Sequence, residues 1–207
     1  MWKFCECRNK KNIERAFKSS KITFEFSKKT FDNFDIADLK PIVRSAFHLS
    51  KSYLINFDNL KNERKNSICI LGNVGSGKTH LLMAIANGLL NKGVSVLYFP
   101  WVEGFNEIKD DFSLMEKRIT NMQKVDVLFI DDMWKGRKVP TEFQMEQAFA
   151  IINYRYMENK PILISSERTI DEMCDFNEAI GSRINEMCKD FRVIIGGEET
   201  NYRMREE

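Results

Sequence analysis

The sequence predicts an α/β fold, a three-layer domain on a five-stranded parallel sheet, with a short basic N-terminal arm over residues 1–30 and the domain proper over 31–207. Three observations predict it. Apolar runs of strand length recur at 68–71, 94–99, 125–130, 161–164 and 192–195. Stretches with helical apolar spacing separate them, which is the pattern of parallel strands buried on both faces and joined by crossover helices. The first run also leads through Gly72-Asn73-Val74-Gly75-Ser76-Gly77-Lys78-Thr79 into a helix, the strand, glycine loop and helix of a P-loop.

Taken in order, residues 1–30 show no strong periodicity. Thr30-Phe31-Asp32-Asn33-Phe34-Asp35 places two aromatics ahead of a helix expected over 38–56, whose loosely apolar face carries Ala46, Leu49, Tyr53 and Ile55. Residues 59–66 are polar and loop-like. After the glycine loop, Leu81, Leu82, Ile85, Ala86 and Leu89 keep helical spacing until Asn91-Lys92-Gly93 ends the helix. Residues 101–124 read as mostly helical, with Phe105, Ile108, Phe112, Met115 and Ile119 on one face. Thr141 and Gln144 form a capping box for a helix reaching about residue 158. A short helix near 170–174 and a longer one near 177–189 precede the last strand, and Gly196-Gly197 turns the chain into a charged tail.

Composition sets bounds on function. With 207 residues the chain holds one α/β domain and little more, and no apolar run approaches the roughly 20 residues that span a bilayer. A cytoplasmic protein without a membrane partner is expected. The five cysteines are odd in number and three lie in apolar surroundings, against a disulfide framework. Cys5 and Cys7 supply two of the four ligands of a structural zinc, and no other Cys or His occurs before His48, so a site completed by this chain alone is not expected. Net charge is +2, yet residues 1–30 hold nine Lys or Arg against three Glu, a local +6 that suits an anionic partner.

The motifs point to phosphate chemistry. Backbone N–H groups of Gly72 to Thr79, with His80 following, would cradle phosphate oxygens at the positive end of a helix. Lys78 would reach the β- and γ-phosphates of ATP, and Thr79 would help to hold Mg²⁺. The third strand ends in Asp131-Asp132, at the sheet edge where parallel α/β proteins bind ligands. One carboxylate, Asp131, would hold Mg²⁺, and Asp132 would orient the attacking water. The next loop, Met133-Trp134-Lys135-Gly136-Arg137-Lys138, interleaves an aromatic with cations. Stacking by Trp134 and phosphate neutralisation by Lys135, Arg137 and Lys138 is the chemistry of single-stranded DNA binding, while a Trp packed at the core edge is the alternative.

From about Phe31 to Arg203 the chain resembles the AAA+ ATPases of the DnaC/DnaI helicase-loader type and their IstB-like relatives. Gly72 to Thr79 with His80-Leu81 is similar to their Walker A segment, and Leu128-Phe129-Ile130-Asp131-Asp132 to their Walker B. Ser165-Ser166-Glu167 falls at the sensor 1 position, Gly181-Ser182-Arg183-Ile184 resembles the arginine-finger segment, and Asn201-Tyr202-Arg203 a sensor 2 element. The resemblance implies an ATPase that loads the replicative helicase onto single-stranded DNA and assembles with copies of itself through Arg183, with Arg203 contacting the nucleotide. Glu167 departs from the usual polar donor, so one of Ser165 or Ser166 is expected to donate instead, with Ser166 placed among the nucleotide contacts. Asp132 stands where many AAA+ enzymes carry Glu. A carboxylate shorter by about 1.5 Å misplaces the water and implies slow turnover, stimulated by DNA or a partner. A transposition helper of the IstB type and a P-loop small-molecule kinase are the alternative functions.

Overall fold

The computed structural model describes residues 6–37, 39–109, 111–197 and 200–204. Five strands, β1 (Ile68–Gly72), β2 (Val96–Pro100), β3 (Val127–Met133), β4 (Ile162–Ser166) and β5 (Arg192–Ile195), form one sheet in the order β2-β3-β4-β1-β5, and every neighbouring pair is parallel. Strand alternation divides the core. Ile68, Ile70, Val96, Tyr98, Val127, Phe129 and Leu163 face one side, while Cys69, Leu71, Leu97, Phe99, Leu128, Ile130, Ile162 and Ile164 face the other. The all-parallel sheet and three layers expected from the sequence are therefore present.

Helices α1 (Glu6–Ser19), α2 (Phe24–Ser27), α3 (Pro41–Leu60) and α4 (Lys78–Asn91) cover the first face. The second is covered by α5 (Trp101–Ile108), α6 (Phe112–Lys124), α7 (Glu142–Met157), α8 (Ile170–Phe176) and α9 (Glu178–Met187). Pro41 sits in the first turn of α3, where its missing N–H has no intrahelical role, and starts that helix later than the expected residue 38. Asp111 accepts from Leu114 N and caps α6, so the mostly helical stretch expected over 101–124 is two helices. Thr141 and Gln144 close the capping box of α7 as the sequence indicates.

The aperiodic N-terminal stretch contains α1, whose stability comes from packing. Ala16 and Ser20 are buried, and Ser20 O accepts from Tyr98 N, so this segment covers the exposed edge of β2. Asn87 of α4 then donates to the carbonyls of Phe26, Ser27 and Lys29, fastening the following turn to the body. Cys5 lies outside the described residues, and so do the side chains of Cys7 and the basic residues up to Lys11. Among the described residues no helix is long and apolar enough to cross a membrane.

Candidate functional site

The glycine loop leaves the end of β1 beside β5. Gly72 adopts φ +124°, and a Cβ there would lie 2.0 Å from Ile195 O, so only glycine lets the two strands close at this point. Asn73 N donates to Ile195 O, and its side chain donates to Gly197 O and Thr200 Oγ1, tying the loop to the C-terminal segment. Gly75 has φ +72°, and a Cβ there would meet Asn201 Oδ1 at 1.9 Å. Because Tyr202 N also donates to Gly75 O, the 3₁₀ turn Tyr202–Met204 docks directly on the loop. Gly75→Ala is expected to cost about 1–2 kcal/mol from the left-handed backbone and to weaken ATP binding by displacing Asn201. Chemical denaturation and nucleotide titration of the variant check both effects.

Helix α4 begins at Lys78 without a side-chain cap, which leaves its first N–H groups for an anion at the loop. Lys78 Nζ donates to Gly72 O and Asn73 O at 2.8 and 2.7 Å. Burial lowers its pKa, and Asp132 and Glu167 oppose that shift. The next side chain reaches the third strand: Thr79 Oγ1 donates to Asp131 Oδ1 at 2.9 Å.

Asp131 is held by three hydroxyls. Ser165 Oγ and Thr79 Oγ1 both donate to Oδ1, at 2.5 and 2.9 Å, and Tyr98 OH donates to Oδ2 at 3.0 Å. Burial raises the Asp131 pKa, with Asp132 adding to the shift, while the hydroxyls hold the charged form. A Thr hydroxyl and a carboxylate oxygen side by side at the cleft are hard donors of the kind Mg²⁺ takes, one or two from protein and the rest from phosphates and water. The residues present fit that ion.

Around this centre lies a cleft of about 520 Å³, lined by Val74 to His80, Asp131, Asp132, Lys135, Glu167, Tyr202 and Arg203, with Phe26 and Lys29 on its N-terminal side. His80 Nε2 lies 2.9 Å from Thr30 O and 3.0 Å from Asn33 Oδ1, and burial lowers its pKa. Phe34 packs edge-on to His80 and stacks on Phe47, while Phe31 meets Phe47 edge-on. The segment before residue 35 therefore forms one wall of the cleft.

Several expected contacts are corrected. Ser166 is fully buried, donates to Met133 O and accepts from Arg168 N; its neighbour Ser165, on the opposite side of the strand, is the serine that reaches Asp131. Trp134 is 2% exposed, edge-on to Trp101 at 4.6 Å and near Phe176 at 6.0 Å, so it packs in the core and has no face for a base. Lys135 lines the cleft while remaining partly exposed, and Arg137 and Lys138 are exposed farther along the loop. Arg183, expected to serve a neighbouring copy, lies outside this cleft: on α9 it donates to Ala179 O and lies over the rings of Phe149 and Tyr156. Tyr98 enters the site where no motif marked it, while Ser165 comes from the sensor 1 segment and Lys135 from the loop read as a DNA contact.

Known proteins align with this arrangement. The pattern of the bacterial DnaA ATPase domain matches residues 27–188. YqaM of Bacillus subtilis is 48% identical over 98% of this chain, which spans 66% of YqaM's length. The phage-like element PBSX protein XkdC of the same organism is 43% identical over 99% of this chain and 79% of its own. Among solved structures, DnaI superposes with a TM-score of 0.68 at 22% identity, over 85% of this chain and 94% of DnaI. The DnaC helicase loader gives 0.66 at 20%, over 84% of this chain and 99% of its own. AMPPCP-bound DnaA from Aquifex aeolicus gives 0.67 at 26%, over 84% of this chain and 52% of that one. The fold is thus the AAA+ P-loop fold expected from the motifs, in a lineage of ATP-binding ATPases associated with DNA replication. With its glycine loop, its Asp131 centre and the match over residues 27–188, the chain belongs to the bacterial DnaA ATPase-domain family.

Proposed function

We propose that the protein is an ATPase that binds Mg-ATP in this cleft and uses it as a switch to load a replicative helicase onto single-stranded DNA in the cytoplasm. The observation that carries the nucleotide half is Asp131, held by Thr79, Ser165 and Tyr98 at the end of β3, facing the glycine loop. The helicase half is supported by the likeness of the fold to the DnaC helicase loader.

In this reading the first N–H groups of α4 and the loop hold the phosphates, and Lys78 exchanges its two carbonyl acceptors for phosphate oxygens. Thr79 and Asp131 would hold Mg²⁺, which would supply charge neutralisation at the phosphates. Asp132 orients the water. Its Oδ2 accepts from Lys135 Nζ at 2.7 Å, a contact that occupies the carboxylate and supports slow turnover. Arg203 approaches the phosphates from the docked 3₁₀ turn, and Arg183 serves the cleft of a neighbouring copy. Arg137 and Lys138 remain for the DNA backbone.

Steady-state hydrolysis measured with and without single-stranded DNA tests the enzymatic part. Turnover below about 1 s⁻¹, the low end for enzymes, with stimulation by DNA is expected. Fast turnover indifferent to DNA contradicts it.

A further inference from the structure

Beyond Asp132 the chain takes a shape that aims one cation inward. The pairing of β3 with β4 shifts between Ile130 and Met133, and both Asp132 (φ +54°) and Trp134 (φ +67°) adopt left-handed backbone, which side chains other than glycine rarely tolerate. Three contacts hold that shape. Asp132 N donates to Ser165 Oγ at 2.8 Å, Lys135 N donates to Asp132 O at 3.0 Å, and the Trp134 ring is buried against Trp101 and Phe176.

As a result Lys135 enters the cleft from the strand ends opposite the glycine loop. Its Nζ lies 2.7 Å from Asp132 Oδ2 and 3.4 Å from Glu167 Oε1. An ammonium has three N–H donors, and these carboxylates engage two. The third is left for an acceptor inside the cleft. Lys78, Asp132, Lys135 and Glu167 all line this cleft, so the two ammonium groups face the same space. Two carboxylates facing a triphosphate repel it, and Lys135 offsets that repulsion where a terminal phosphate would lie.

We propose that Lys135 binds the γ-phosphate of a nucleoside triphosphate, held in place by Asp132 and Glu167, and so makes the cleft distinguish triphosphate from diphosphate. The inference rests on the reading of this cleft as an ATP site. It also gives Glu167 a role: the carboxylate does not donate to phosphate but positions the lysine that does. Lys135 is half-exposed, and its ion pairs are of the weak, solvent-screened kind, so sharing the ammonium with a phosphate costs little.

Calorimetric titration with AMPPCP and with ADP, both with Mg²⁺, tests the proposal on the full chain, Lys135→Ala, Lys135→Arg and Glu167→Gln. A charge-assisted hydrogen bond at the γ-phosphate predicts about tenfold weaker AMPPCP binding in Lys135→Ala, with ADP affinity changed less than about twofold. Lys135→Arg is expected to retain the AMPPCP preference, and Glu167→Gln, which loses the charge that positions the ammonium, to weaken AMPPCP a few-fold with ADP little changed. Equal weakening of both nucleotides in Lys135→Ala makes Lys135 merely structural and overturns the proposal. So does an unchanged AMPPCP affinity accompanied by faster turnover, which makes Lys135 only a restraint on Asp132. If the unaltered protein binds ADP and AMPPCP equally, the γ-phosphate role falls while the nucleotide site stands. If it binds neither, the ATP reading falls too.

Discussion

Replacing Arg155 with alanine is expected to destabilise the fold by about 3–5 kcal/mol, because it strips a fully buried cation from the carbonyls it serves. Nη1 donates to Met122 O, Gln123 O and Val125 O, and Nη2 to Asp126 O and Pro161 O, at 2.6–3.1 Å. These carbonyls lie where α6 turns into β3 and where β4 begins. One side chain of α7 thus supplies donors to carbonyls at two adjacent chain turns, adding to Leu128 N at Pro161 O. Burial pushes the guanidinium's pKa down to about 9, with Asp126 the main opposing charge, so it remains a cation at neutral pH. Its removal leaves several buried acceptors without donors and opens a cavity between α6 and α7. Thermal unfolding should show a fall in Tm on the order of 10 °C for a chain of this size. A second variant, Arg155→Lys, reaches fewer carbonyls with its three donors and is expected to recover only part of the loss. An alanine variant as stable as the parent protein would remove this account of how β3 and β4 are held in register.

The largest functional effect is expected from Lys78→Ala, with ATP affinity falling about a hundredfold or more and hydrolysis abolished, as for loss of a preorganised charge in a water-poor site. Lys78 is 5% exposed, and its ammonium lies against the carbonyls of Gly72 and Asn73 at the loop itself. Lys78 itself lines the cleft, so water can enter where the ammonium was. The variant should therefore unfold within a few degrees of the parent protein while its nucleotide titration collapses. A binding loss accompanied by an equally large stability loss would assign Lys78 to the fold rather than to phosphate.

How far the sequence reaches depends on whether a signal is local. The parallel sheet is legible because strands buried on both faces must be apolar throughout, and residues 68–71, 125–130 and 161–164 have little else to be. The glycine loop is legible because the backbone at Gly72 and Gly75 excludes other residues. Helix α1 is not, since its apolar positions are few and its support is the edge of β2, distant in sequence. Tyr98 looks like one more residue of an apolar strand; only the β2–β3 register, which pairs Pro100 with Asp131 and Tyr98 with Phe129, brings its hydroxyl to the site. The loop after Asp132 is the instructive case. Its alternation of Trp with Lys and Arg reads as a DNA-binding surface, and its composition alone does not reveal the left-handed turns that bury Trp134 and direct Lys135 to Asp132 and Glu167.

The central claim is that bound ATP switches association with a replicative helicase. The measurement that tests it most directly is the light-scattering mass of the mixture of this protein with purified replicative helicase, in ATP, in ADP and with Lys78→Ala. A complex that forms in ATP, dissolves in ADP and is absent with Lys78→Ala is the predicted result. No complex in any nucleotide, from a protein that binds ATP tightly, would contradict it.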